Sequence, residues 1–232
     1  MRIPIALSLL LSTSALLPAA HTPELELFPV PTVGLSVPAN EPDGWSLEEL
    51  LTEYGRATDQ HFMYAEDTRA QLKQTRVPLS EALSVDPENL HAVVETLMIQ
   101  SHFIFAIERV ANPRLISVQS MRGSRVNLRQ SASYVPVDKL STWRDHPAYL
   151  IHTVLTLEYL DVRTLTNSMR AMLTDANTQQ IIPVGNSHSL MLTGFAPQVQ
   201  SLVTMLLDVN EASRVSFEKR AKAEAKTETE EG

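Results

Sequence analysis

Apolar and polar residues change period several times along the chain, and each change marks an expected element. In the second half, residues 151–157 (IHTVLTL) read as an apolar strand. Asp161 then caps a helix whose apolar positions are Val162, Leu165, Met169, Met172 and Leu173. Residues 181–184 and 190–193 read as two strands joined across 185–187, where Gly185 and Asn186 suit a turn with positive φ. Pro197 opens another helix, with Val199, Leu202, Val203 and Leu206 at 0, 3, 4, 7 spacing. The order β-α-β-β-α predicts a small sheet with both helices on one face. Such a unit serves for docking more often than for catalysis.

The first half follows a related plan. Ser46 and Glu49 form a capping box, and Leu47, Leu50, Leu51 and Tyr54 fall on one helical face. Residues 61–65 (HFMYA) read as a strand and 74–78 as another. Asp86 caps a second helix with Pro87 at its first position, and its apolar stripe is Leu90, Val93, Val94, Leu97 and Met98. Residues 103–110 (FIFAIERV) and 115–118 (LISV) form a hairpin around Asn112-Pro113. The expected order is α-β-β-α-β-β. The fold class is therefore α+β, two small two-layer domains at 45–120 and 150–210. Between them, 121–149 reads as a linker in which Trp143 pins the chain to the second domain.

Outside these units periodicity fades. Pro23, Pro29, Pro31, Pro38 and Pro42 make 21–44 an extended tether with no packed element expected, although Leu25, Leu27 and Phe28 are suited to docking on a neighbouring surface. The end, 211–232, reads as a charged flexible tail, disordered or a frayed helix. Residues 1–20 have the pattern of an export signal: Arg2, an apolar run over 5–17 and a small-residue cleavage site at Ala19-Ala20. That run is shorter than the roughly 20 residues a membrane span needs. The expected location is the periplasm, associated with an outer-membrane complex.

Composition removes several function classes. With no Cys, disulfides, thiolate zinc sites and cysteine nucleophiles are excluded. A formal charge of -8 argues against a nucleic-acid binder, which shows a basic stripe. The seven His include no i, i+4 pair flanking a carboxylate, the helical zinc-protease pattern. His152 and His188 could meet in space as a metal pair, but read more simply as exposed strand and turn residues. Ser187 and Ser189 lack the Gly-x-Ser-x-Gly elbow. Glu48-Glu49 suits the positive end of a helix, and Glu66-Asp67 reads as a solvated loop pair. The β-α-β-β-α order also occurs in RNA-binding KH domains, but the Gly-x-x-Gly loop they require is missing. No catalytic residue, cofactor site or metal site is assigned.

The second unit resembles the N1-type ring domains of bacterial secretins. The carriers are Leu157-Glu158-Tyr159-Leu160-Asp161-Val162 at the strand-to-helix junction, the second hairpin strand Ser187-His188-Ser189-Leu190-Met191-Leu192-Thr193-Gly194, and the helix closing on Leu206-Leu207-Asp208. His188 departs from the small polar residue or Asn usual in that family. The first unit is similar to the secretin N0 domain and to the amino-terminal signalling (STN) domain of TonB-dependent receptors, through residues 46–51 (SLEELL) and the hairpin ending in Ile116-Ser117-Val118. Its 78–87 stretch is longer than the usual link. Secretins continue into a pore-forming β-region that this sequence lacks. The resemblance therefore implies a non-enzymatic, exported ring or adaptor part of a type II secretion or type IV pilus complex. It implies protein partners, self-association included, and neither nucleic acid nor a membrane span after signal cleavage. The alternative is an STN-like signalling or ligand-sensing module. Exposed strand edges and apolar faces would hold partners. The expected contact residues are Phe103 and Phe105 in the first unit and Leu190, Met191, Leu192 and Phe195 in the second.

Overall fold

The computed structural model describes residues 28–40, 44–122 and 127–230, with side chains described as far as Glu218. The expected export signal lies outside the described residues, as do Leu25 and Leu27 of the tether.

The first layer is built on helix α1, Leu47–Thr58. Its capping box is formed: Glu49 Oε2 accepts from the Ser46 amide at 2.7 Å, and Ser46 Oγ accepts from the Glu49 amide at 3.3 Å. Asp59, in the left-handed region at φ 52°, turns the chain into β2, Gln60–Met63. After α2 (Glu66–Gln74) and α3 (Leu90–Gln100) come β4 (Phe103–Arg109) and β5 (Arg114–Ser120). The sheet order is β2-β5-β4, with β2 parallel and β4 antiparallel to β5. Leu47, Leu50, Tyr54, Leu90, Val94 and Met98 from α1 and α3 pack on Phe103, Phe105 and Val118 of the sheet in one core.

Two expectations for this layer are corrected. Residues 66–74 form α2 rather than a loop, so Glu66-Asp67 occupies the first turn of a helix, where carboxylates meet the positive end of the dipole. Only Thr68 and Leu72 of α2 are buried, which leaves too little apolar signal for a periodicity to show. The strand expected at 74–78 shrinks to a single bridge between Ser46 and Arg76.

The described part of the tether, 28–40, is also packed. Residues Leu35–Val37 form β1, antiparallel to β3 (Leu83–Val85), with Val37 fully buried. Each strand reads Leu-Ser-Val, and Pro31 and Pro38 bracket β1 where no ladder donor is needed.

The second sheet has the order β6-β7-β9-β8, with β6 Ser133–Tyr134, β7 Leu150–Thr156, β8 Gln180–Pro183 and β9 Ser189–Phe195. Helices α4 (Val162–Met169) and α5 (Ala196–Glu230) cover one face. Register places the pairs Ile151–Gly194, Thr153–Leu192 and Leu155–Leu190 on that face. Gly194 lets α5 approach closely: a Cβ would stand 3.3 Å from Val199 Cγ2, tight enough that the valine would have to shift by a few tenths of an ångström. Gly185 takes φ 58° in the β8–β9 turn. Rather than ending near 210, α5 runs on to Glu230. In that extension Arg214 pairs with Glu211 and Glu218 at helical spacing.

The two sheets meet directly. The Phe105 amide of β4 donates to the Ala148 carbonyl at 2.9 Å, just before β7 begins. Phe103 and Phe105 point to the helical core, while Ile104 points the other way and packs with Leu128 and Leu150, with Phe195 at the margin. From residue 127 the expected linker is therefore folded structure, with Leu128, Val135, Leu140, Trp143, Ala148 and Tyr149 buried. Replacing Ile104 with Ala opens a cavity between the sheets. The expected cost is about 2–5 kcal/mol in urea unfolding, with a secondary-structure spectrum unchanged at zero denaturant.

Candidate functional site

The most chemically loaded place in the molecule lies where the sheets meet. Helix α3 carries His91 and Glu95 at i, i+4, one above the other on a single face. Both are buried, and Glu95 is 0% exposed. A carboxyl is almost never fully buried without partners, and these come from the other half of the chain. Glu95 Oε1 lies 2.8 Å from His146 Nδ1, and Oε2 accepts the Ala148 amide at 3.2 Å. One side chain of the first layer thus grips the segment that leads into β7.

His91 extends the network. A carbonyl only accepts, so the 3.0 Å contact with the Pro29 oxygen places the proton on Nε2. His91 Nδ1 is then an acceptor, and Tyr54 of α1 donates to it at 2.6 Å. The Tyr54 hydroxyl also faces the Glu95 carboxyl. Phe28 closes the cluster from the strap that precedes β1: its ring stacks on His146 at 3.4 Å between centroids and meets Trp143 edge-on at 5.1 Å. Tyr149 is 1% exposed, and its hydroxyl has no hydrogen-bond partner among the described residues.

Burial sets the protonation of this cluster. It holds the Glu95 carboxyl well above its usual range, against the opposing pull of His91 and the Ala148 amide. It lowers His91, a shift that the Pro29 contact opposes, and it lowers His146 to about 3. Burial also raises both Tyr54 and Tyr149, with Glu95 adding to each. The interior therefore favours a neutral acid beside two neutral imidazoles.

The residues singled out from the sequence fall elsewhere. Phe103, Phe105, Leu190 and Leu192, expected at the surface, are buried in the chain's own core. Sheet alternation explains the pattern: Met191 and Phe195, on the opposite face, are half-exposed. His152 and His188 do not meet. His152 lies in register with Thr193, whereas His188 adjoins Ser189, which pairs with Thr156 at the far end of β7. Sequence reading missed Glu95 altogether and left His91 and His146 unconnected. The available signal was a Glu one turn from a His on the apolar stripe of α3.

A second feature is open and apolar. A cavity of about 530 Å³ runs between α5 and the β8–β9 hairpin, lined by Met172, Ile181, Leu192, Leu202 and Met205 among others. It adjoins β8, an edge strand of the sheet. Among the described residues no helix is long and apolar enough to cross a membrane.

The junction gives folding a defined pH response in metal-free buffer. Below about pH 6.5 the unfolded chain binds protons at His91 and His146 that the folded chain refuses, so stability falls as pH drops toward 3. Glu95 acts in the opposite sense. Above 4.5 the unfolded chain has lost a proton that the folded chain keeps, so stability declines as pH rises through the range where Glu95 holds it. Two histidines outweigh one carboxyl on the acid side, and the expected maximum lies near neutrality. Urea unfolding from pH 4 to 9 measures this profile, and Glu95→Gln is expected to flatten its alkaline limb.

No family model and no curated relative matches the sequence. Among solved structures, a chain of the Klebsiella pneumoniae type II secretion system outer membrane complex (PulD, PulS and the PulC HR domain) matches with a TM-score of 0.52 at 15% identity, over 72% of this chain and 26% of that one. This chain thus spans about a quarter of the length of that match. The GspC–GspD complex of enterotoxigenic Escherichia coli matches at TM-score 0.29 and 12% identity, over 77% of this chain and 99% of that one. The amino-terminal domain of the Pseudomonas aeruginosa secretin XcpQ follows at TM-score 0.25 and 7% identity, over 77% and 64%. The last two scores are too low to bear on the fold. The first match establishes an α+β fold similar to that of a chain of this outer membrane complex, and the likeness is one of fold alone.

Proposed function

We propose that this chain is a non-catalytic assembly module of the periplasm, docking onto itself or onto components of a secretion complex. The supporting observation is the fold, which is shared with a chain of a complex whose named parts are PulD, PulS and the PulC HR domain. Two physical features suit the role. The open apolar cavity beside α5 and the edge of β8, unpaired among the described residues, offer side-chain burial and backbone pairing at one place. The buried titratable cluster is walled in by Phe28, Trp143 and Tyr149, an arrangement that fits a structural junction better than a substrate cleft.

Gel filtration with light scattering tests this, using the purified chain alone and mixed with the periplasmic domains of the secretin from the same organism. Concentration-dependent self-association or a stable co-eluting complex is expected. Met205→Asp and Val184→Asp put charges on residues that are 40% and 41% exposed beside the cavity and at the end of β8. Each is expected to weaken association at least about tenfold, the effect of 1.4 kcal/mol, while leaving the fold intact. A monomer that ignores every such partner across the accessible concentration range would count decisively against the assignment.

A further inference from the structure

The buried junction between the sheets has the donor set and the supporting contacts of a metal centre. We propose that His91, Glu95 and His146 bind one divalent transition cation of the zinc class. One ligand atom from each residue lies within 4.8 Å of the others, and all three residues are buried. Tetrahedral zinc with bonds of 2.0–2.1 Å spaces its donors about 3.4 Å apart. The 2.8 Å contact between Glu95 and His146 needs to open only slightly to reach that spacing. Two nitrogens and a carboxylate select this class of ion over calcium or magnesium, which take all-oxygen sets.

Outer contacts already aim the ligands. The His91 Nε2 proton is held by the Pro29 carbonyl at 3.0 Å, which turns the Nδ1 lone pair inward. The Ala148 amide fixes Glu95 Oε2 and leaves Oε1 facing His146. An independent observation points to a ligand as well. The buried Tyr149 hydroxyl has no partner among the described residues and lies close enough to feel the Glu95 charge. Tyr54, whose hydroxyl is 2.6 Å from His91 Nδ1, must release that nitrogen when the cation binds. The bound ion would join α3 to the segment before β7 while Pro29 anchors the strap. It is a structural staple, and every ligand comes from a single copy of the chain.

The test uses the full chain without an affinity tag, stripped with chelator, dialysed against equimolar zinc chloride and then against buffer. One zinc per chain is expected to remain. Thermal unfolding with free zinc a hundredfold above its dissociation constant is expected to shift upward by about 5 °C or more. Glu95→Gln retains an acceptor for the Ala148 amide and a donor toward His146, so the fold is kept while zinc affinity drops at least about tenfold. His61→Ala and His188→Ala, at exposed positions, leave both readouts unchanged. Zinc lost on dialysis with an unshifted melting curve would overturn the proposal. So would zinc whose retention ignores Glu95→Gln or depends on His61 or His188.

Discussion

A carboxyl with no exposure in the middle of an apolar helix face is the constraint around which the two halves of this molecule are arranged. Removing Glu95 from water is costly unless its oxygens find partners, and α3 by itself provides none. The partners are His146 and the Ala148 amide, which lie directly before β7 in sequence. Satisfying Glu95 therefore fixes where β7 begins, and the rest of the second sheet is registered on β7. The Phe105–Ala148 backbone bond and the contact of Ile104 with Leu150 follow from the same placement. One polar requirement and one apolar patch thus act on the same short stretch of chain. The polar contact specifies position, and the apolar patch provides most of the stabilisation.

Strand β4 shows how much of this was legible in the sequence. Its apolar run, Phe103 to Ile107, identifies a strand without difficulty. The absence of polar alternation carries a second message: a strand apolar at successive positions is covered on both faces. The structure gives that meaning to Phe105 and Ile104, which face different layers. Taking Phe103 and Phe105 for surface residues overlooked it. The same holds for Leu190 and Leu192, whose alternation with Met191 marks the two leucines as inward. The main helices and the two hairpins were readable, and in the second unit the order β-α-β-β-α as well, because caps, turns and stripes of 3.6 or 2 residues recur there.

What was not readable shares a physical cause. Helix α2 buries only Thr68 and Leu72, strand β1 is three residues long, and β6 is two. Elements this small are formed by tertiary partners rather than by their own periodicity. Strand β1 exists because β3 offers a matching edge, and the folded connector exists because two sheets converge on it. The junction was half legible. His91 and Glu95 share a helix face by spacing alone, whereas His146 is 51 residues from Glu95 and is brought near only by the fold.

The separation of the junction from the open surfaces has a mechanical consequence. The network around Glu95 lies between the layers, whereas the apolar cavity and the outer edge of β8 belong to the second sheet alone. An assembly built from repeated head-to-tail contacts closes into a ring only when each subunit imposes the same rotation on the next. Two modules on a loose linker would present their surfaces at a spread of angles and would lose ordering entropy at every contact. Buried Tyr149, Trp143 and the Glu95 network convert the connector into part of the core, and that spread is removed before any partner arrives. In the proposed assembly role, rigidity at the junction would act on association without touching the surface that docks. It would do so equally in a ring of identical copies and in a single adaptor seated on a larger complex.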